Sequence, residues 1–441
     1  MRLPERPGRG PHDRDILRLA VPALGALVAQ PVYVLTDTAI VGHLGTDRLA
    51  GLAAASAILL SVSALVTFLA YGTTGTVGRH LGAGDQAGAA VQGVQGLWLA
   101  VGLGVVIAGV LAVAADPLIG LFHVAPAVAG HARTYLLISL VGLPSVLIVM
   151  AGTGYLRGLQ DTRTPLVVAL GTAVLNLITE VFLVYGLDLD IAGSAWSTVL
   201  AETVGGAIYV TVIVRTVLRL EVSIRPDPRE LIRSLRRGLS LLVRTTALRG
   251  SFVVAALLAS RLGTVALAGH EVATQVWTLL ALALDAVAIA GQALVARHLG
   301  AGRRDLARDA SRRMIELAVV VGVVAALAVL VAARPLAELF SNDPEVISMT
   351  SFLLVWVAVM QPVGAHVFAL DGILIGAGDL TFLARAMTGA ALVFVTAGIA
   401  TVALGLGIGW LWAALTLFMV VRSVTLHLRY RQDVWLVTGT T

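Results

Sequence analysis

Arg79-His80-Leu81-Gly82-Ala83-Gly84 and Arg297-His298-Leu299-Gly300-Ala301-Gly302 are one hexapeptide written twice. The offset that carries Arg79 onto Arg297 also aligns other fragments, without a gap. Leu44-Gly45-Thr46 returns as Leu262-Gly263-Thr264, Leu49-Ala50-Gly51 as Leu267-Ala268-Gly269, and Pro144 as Pro362. Gly158 with Asp161 returns as Gly376 with Asp379. The 441-residue chain is about two such units, so it reads as a duplication with its seam near the middle. In a very apolar chain, duplication is the usual sign of a transporter made of two similar halves around a central pathway. It also supplies an internal control: a polar residue present in only one half needs its own explanation.

Composition sets the class. Hydrophobic residues make up 58% of the chain and charged residues 13%, with a mean hydropathy of +0.91, which excludes an ordinary soluble protein. There is no cysteine, so disulfides and thiolate metal sites are excluded. A net charge of +5 would suit nucleic acid, but every basic residue is Arg and most lie between apolar stretches, as topology signals do. No nucleic-acid partner is expected. The polar start, Met1 to Arg14, lacks the apolar core and small-residue cleavage site of a signal peptide.

Twelve apolar segments can be marked, at 16–42, 49–76, 92–115, 133–155, 165–186, 192–215, 239–260, 266–295, 314–333, 350–375, 383–405 and 408–428. About 20 apolar residues cross a bilayer as a helix. The implied fold is an all-α polytopic membrane protein with twelve transmembrane helices in two six-helix bundles. Six is even, so the bundles should be related by a pseudo-two-fold axis along the membrane normal. Arginines crowd the loops at 79, 157–163, 215–237 and 297–313, whereas Asp188, Asp190, Glu338, Asp343 and Glu345 lie in the opposite set. The positive-inside rule then puts both termini in the cytoplasm of a cell-membrane protein. The expected organisation is a tail (1–15), a first lobe (16–218), a cytoplasmic linker (219–238), a second lobe (239–428) and a tail (429–441). In the linker, Arg229 to Arg237 reads as a basic surface helix near anionic headgroups. The repeated His-Leu-Gly-Ala-Gly loops read as tight turns, since no G-x-x-x-x-G-K-[ST] occurs and the chain has no Lys.

Carboxylates inside membrane spans are functional candidates by default. Asp37, in the first span, has Ala255 as its counterpart in the second half, and Glu180, in the fifth, has Gly398. Both acids are peculiar to the first half. Asn176 and Glu180 are four apart and share a helix face, as do Thr198 and Glu202 in the sixth span. Where these spans converge they would form an oxygen-rich site for a proton or a cation. Glu202 has an alternative, pointing toward headgroups or a neighbouring hydroxyl. The second half has Glu271, Asp285 and Asp371, with Arg249 as a candidate partner. Structural pairing and cavity lining are both open for them. Pro22 and Pro31 remove backbone hydrogen bonds in the first span and permit bending close to Asp37.

Three stretches carry a family resemblance: Leu35-Thr36-Asp37-Thr38-Ala39-Ile40-Val41-Gly42-His43-Leu44-Gly45, the run from Gly152 to Pro165, and the run from Asp371 to Asp379. Together they resemble the signatures of multidrug and toxic compound extrusion (MATE) transporters, the last being similar to the DinF-like branch. The resemblance spans nearly the whole chain. It implies two six-helix bundles in a V, open alternately to the two sides. It also implies export of small amphipathic, often cationic compounds in exchange for H⁺ or Na⁺. The chain is expected to be monomeric, with no cofactor other than the coupling ion. The family's acidic site carries over onto Asp37, Asn176 and Glu180, with Thr198 and Tyr135 as neighbours, and any Na⁺ would sit among the first three. The fifth-span acid is usually Asp. Glu180 moves the carboxyl by about 1.5 Å, one carbon–carbon bond. Glu202 is a third acid where the family is more often neutral.

Two other functions compete with transport of this kind. A lipid-linked precursor flippase would need cations inside the lobes to meet a pyrophosphate, and Arg244 and Arg249 are the deep candidates. A membrane enzyme would need clustered ligands or a nucleophile–base pair, and the nine histidines show no such spacing. The chain is therefore expected not to be an enzyme.

Overall fold

A computed structural model describes residues 12–440. The basic segment before His12, and with it most of the expected N-terminal tail, lies outside the described residues, as does Thr441. The described chain is helical, with no strand. The helices are α1 (Asp13–Gly42), α2 (Thr46–Val66), α3 (Phe68–Gly82), α4 (Gln86–Val113), the short α5 (Ala115–Gly120), α6 (Pro126–Gly158) and α7 (Arg163–Val181). A π-helical turn (Phe182–Gly186) follows, then α8 (Asp190–Arg219), α9 (Pro228–Ser260), α10 (Thr264–Gly300), α11 (Arg304–Phe340), α12 (Pro344–Gly376), α13 (Leu380–Ala403) and α14 (Ile408–Arg431). With α2 and α3 taken together as one span, and α7 with its π turn as another, twelve helices are long and apolar enough to cross a membrane. The chain is a multi-pass membrane protein, six spans to each half.

Two compact units emerge. One holds residues 25–238; the other holds residues 239–439 together with residues 12–24. In the first, α6 is central and packs on α2, α3, α4 and α8; in the second, α12 does the same against α10, α11 and α14. Both are the fourth span of their half. Apolar side chains such as Val105, Val106, Val110 and Val113 on α4 face outward, while Asp37, Asn176, Glu180 and Arg422 are buried. That inverted pattern is what a hydrocarbon solvent requires.

The duplicated motifs prove to be packing and turn devices. A Cβ on Gly154 would run into the backbone of Ala70, and one on Gly372 into that of Ala288. These are the same close approach at matching positions of the two halves. Membrane helices associate through such small-residue contacts because burial of apolar surface supplies little drive between them. Thr74 adds a hydrogen bond across the first interface, from Oγ1 to the Gly154 carbonyl at 3.1 Å.

The repeated His-Leu-Gly-Ala-Gly loops close α3 and α10 identically. The N–H of Asp85 donates to the His80 carbonyl and that of Arg303 to the His298 carbonyl, each at 2.9 Å. Gly84 and Gly302 take the left-handed conformation, φ 75° and 73°, in the manner of a helix C-terminal motif. The side-chain cap differs between halves. Asp85 accepts from the Gly88 N–H at 2.7 Å and pairs with His80 Nδ1 at 2.8 Å, whereas the matching position is Arg303. The Gly88 amide first, and then His80, hold the Asp85 carboxyl below its ordinary range.

The linker is no free tether. Gln95 on α4 donates to the Arg225 carbonyl at 3.1 Å and accepts from the Asp227 N–H at 2.9 Å, and Trp98 Nε1 donates to the Ile224 carbonyl at 2.9 Å. The Asp227 carboxylate caps the Arg229 N–H at 2.8 Å, and Pro228 opens α9. The basic run Arg229 to Arg237 is therefore the first part of the 33-residue helix α9 and not a separate helix; no residue after Pro228 interrupts it. In the second unit Asp13 makes a two-pronged ion pair with Arg313, at 2.5 and 2.9 Å. There too the segment after α14 folds back: Trp435 is buried and stacks on Tyr430, and Asp433 pairs with Arg308.

Two outcomes follow for stability. Space around both Gly84 and Gly302 is open, so Gly84→Ala and Gly302→Ala should each cost about 1–2 kcal/mol, the penalty of a left-handed L-residue. Thermal melts of the purified protein should show near-equal losses, and unequal ones would mean that the turns are not equivalent. Asp85→Ala should cost about 1 kcal/mol at neutral pH. Because folding lowers this carboxyl's affinity for protons, the difference from wild type should be full above about pH 4 and shrink as pH falls further.

Candidate functional site

The first unit buries a polar network where α1, α6, α7 and α8 meet. Local signals set each helix in place. Asp161 caps α7 by accepting from the Arg163 and Thr164 N–H groups, both at 3.0 Å, and from Thr164 Oγ1 at 2.6 Å. Helix α7 then runs to Val181 and widens into the π turn Phe182–Gly186. Such turns are frequent at functional sites. The start of α8 packs closely on this turn, where a Cβ on Gly193 would lie 3.0 Å from the Leu183 carbonyl carbon. Helix α1 is continuous through Pro22 and Pro31.

Asp37 lies at the centre, 5% exposed. Its Oδ1 accepts from Ser194 Oγ at 2.5 Å and its Oδ2 from the Tyr135 hydroxyl at 3.3 Å. Glu180 is fully buried beside Asp37 and Ser194, and neither of its carboxyl oxygens has a hydrogen-bond partner. Asn176, one turn back on α7, donates to Ser197 Oγ at 3.1 Å and to Thr198 Oγ1 at 3.5 Å. Thr198 also receives the Tyr33 hydroxyl at 2.7 Å, which extends the network along α1.

Asp37, Glu180, Asn176, Thr198 and Tyr135 are thus brought together. Glu202, one turn beyond Thr198, is half-buried on the α8 face that carries Ser194, Thr198, Gly205 and Tyr209 toward the interior of the unit. The residues not anticipated are Ser194, Ser197 and Tyr33. Two of them had a signal: Tyr33 precedes Asp37 by four and Ser194 precedes Thr198 by four, each one helical turn away on the same face. The outer end of the network is closed by Arg48 Nε on Asp190, at 2.6 and 2.7 Å, and by the Tyr185 hydroxyl on the Ile40 carbonyl at 3.1 Å.

The second unit arranges its charges differently. Asp371 is buried and bound by Arg244 and Arg422, each at 2.6 Å. Arg249 and Glu271 are exposed, and Asp285 is half-buried. The arginine from α9 at Asp371 is therefore Arg244, nearer the helix start than Arg249. Among the described residues, no group of three or more metal-binding side chains forms in either unit.

Chemically, the first-unit network offers two adjacent carboxyls with no protein cation between them. Removal from water and mutual repulsion both oppose two negative charges there.

Comparison with known proteins places this architecture. The MatE family model matches residues 22–182 and 245–400, one stretch in each half. Protein DETOXIFICATION 44, chloroplastic, of Arabidopsis thaliana is 30% identical over 95% of this chain and 82% of its own length. DNA damage-inducible protein F of Escherichia coli is 28% identical over 95% and 92%. A crystal structure of MATE in the bent conformation superposes with a TM-score of 0.87 at 20% identity, covering 96% of each chain. An outward-facing multidrug resistance MATE family transporter gives 0.86 at 20%, again covering 96% of each chain. The chain belongs to the MatE family, the multidrug and toxic compound extrusion transporters.

Proposed function

We propose that the chain is a secondary antiporter that exports small amphipathic, often cationic compounds in exchange for protons, with Asp37 and Glu180 as the coupling pair. The observation that supports it is the donor-less Glu180 carboxyl packed against Asp37. Asp37 receives hydroxyl donors on both oxygens, as an anion does. Glu180 receives none, which fits a carboxyl that carries a proton. A shared proton neutralises half of the pair while the site is closed, and its release leaves two like charges that a cationic substrate relieves. Binding of proton and substrate then exclude one another, which is the requirement for exchange. On this reading the protein sits in the cell membrane with both termini in the cytoplasm.

Proteoliposomes with separately imposed gradients test the assignment. Efflux of a fluorescent cationic dye should follow ΔpH and ignore ΔNa⁺. Asp37→Asn and Glu180→Gln should each lower ΔpH-driven efflux by at least about tenfold, the weight of one charge-assisted interaction, while the purified protein elutes normally on gel filtration. Undiminished efflux by Asp37→Asn would remove the coupling role, and efflux driven by ΔNa⁺ alone would replace the proton with sodium.

A further inference from the structure

Helices α12 and α14 of the second unit bring two histidines face to face. His366 Nε2 and His427 Nδ1 lie 3.3 Å apart, and the ring centres are 5.2 Å apart with their planes inclined by 39°. The other nitrogen of His366, Nδ1, lies 2.8 Å from Ser423 Oγ. Ser423 and His427 are one turn apart on the same face of α14. Both rings are half-buried, and His427 sits one turn before the end of α14 at Arg431. Among the described residues no acid or arginine bonds either ring; the nearby arginines of α14 are engaged elsewhere, Arg422 on Asp371 and Arg429 on Asp379.

Two facing nitrogens need something between them: either one ring donates an N–H to the other, or both present lone pairs to a metal ion. A straight N–H···N bond at this separation would put the ring centres ~5.6 Å apart. At 5.2 Å the rings are bent off that line. Two imidazole nitrogens on one tetrahedral zinc, each ~2.0–2.1 Å from the metal, stand ~3.3–3.4 Å apart with ring centres ~5.1–5.3 Å apart. Both separations seen here agree with that arrangement. Ser423 agrees with it as well, because a metal-bound imidazole ordinarily donates its other N–H to a fixed partner. Donation from His366 Nδ1 to Ser423 Oγ leaves the lone pair on Nε2, the atom that faces His427. The duplicated scaffold does not require the pair. First-half counterparts of His366, Ser423 and His427 are Ile148, Gly205 and Tyr209, although α6 packs on α8 as α12 does on α14.

We propose that His366 and His427 form a binding site for a divalent transition-metal ion of the zinc type, held by His366 Nε2 and His427 Nδ1. Among the described residues no third metal-binding side chain joins them, so water completes the tetrahedral shell. Imidazole ligands select zinc, copper and nickel over magnesium and calcium. The chain has no cysteine, so no thiolate competes for such an ion. A bound ion ties α12, the central helix of its unit, to α14. The site uses neither Asp37 nor Glu180, so it is independent of the coupling assignment.

Calorimetric titration of the purified full-length protein in detergent, free of any histidine tag and stripped with chelator, tests it with zinc chloride as the probe. One Zn²⁺ per chain is expected to bind and to raise the melting temperature with the logarithm of its concentration, while magnesium chloride does neither. His366→Gln and His427→Gln each leave a single imidazole and should weaken binding at least about a hundredfold. Ser423→Ala keeps both ligands and should weaken it about tenfold, as loss of an orienting partner does; it carries the test if a histidine variant fails to fold. His298→Gln, at a second histidine contact, with His12, should bind zinc as the wild type does. Cobalt(II) in place of zinc should give the strong visible absorption of a tetrahedral site, lost in His427→Gln. A pair that only bonds two helices would lose stability on substitution without ever binding zinc. Absence of saturable zinc binding by the wild-type protein, undiminished binding by both histidine variants, or loss of binding in His298→Gln would each overturn the proposal.

Discussion

A carboxyl group stripped of water and given no hydrogen-bond donor has to share its site with something else, and Glu180 is such a group. Everything around it follows from that constraint. Helix α7 delivers it beside Asp37, and α8 supplies Ser194 to one Asp37 oxygen while α6 supplies Tyr135 to the other. The close approach of α8 at Gly193 to the π turn after α7 sits beside Ser194. Had an arginine bonded Asp37 or Glu180, the acids would be a static ion pair. The hydrogen bonds to Asp37 come from hydroxyl groups, and the Glu180 oxygens make none among the described residues.

The duplication separates what holds the protein together from what it does. Gly154 and Gly372, the Gly84 and Gly302 turns, and the central position of α6 and α12 recur in both halves. Those features solve the same problem twice: how to bring helix backbones together in a solvent that offers no hydrophobic drive. The charged interior groups do not recur. Even Asp161 and Asp379, which match in sequence, differ in use. Asp161 caps α7, whereas Asp379 accepts from Arg429 Nε at 2.6 Å.

Much of this is legible in the sequence because it rests on periodicity and spacing. Twelve spans, the duplicated turns and the shared face of Asn176 and Glu180 follow from apolar run length and one-turn offsets, while the place of Asp37 beside them is implied by the family resemblance. Ser197 escapes such a reading because serine is common in membrane helices and carries no charge to mark it. Arg422 looks in the sequence like one of many arginines near span ends, where topology explains them; only its burial shows that it points inward. Arg249 stands out ahead of Arg244 as a partner for Asp371 for the reverse reason. Both lie on α9, and spacing alone does not tell which of two arginines faces the interior.

Taken separately, the two units bury different charged groups. The unit of residues 25–238 encloses Asp37 and Glu180, with hydroxyl donors on Asp37, and the unit of residues 239–439 encloses Asp371 with Arg244 and Arg422. A duplicated protein starts with equal halves, so the difference has arisen by divergence. Substitutions that bury charge are costly, more so in a membrane than in water, and drift alone tends to remove them. On the function proposed above, the cost of burying the first-unit acids is offset by the proton they carry, whereas Asp371 has its compensation built in as arginine.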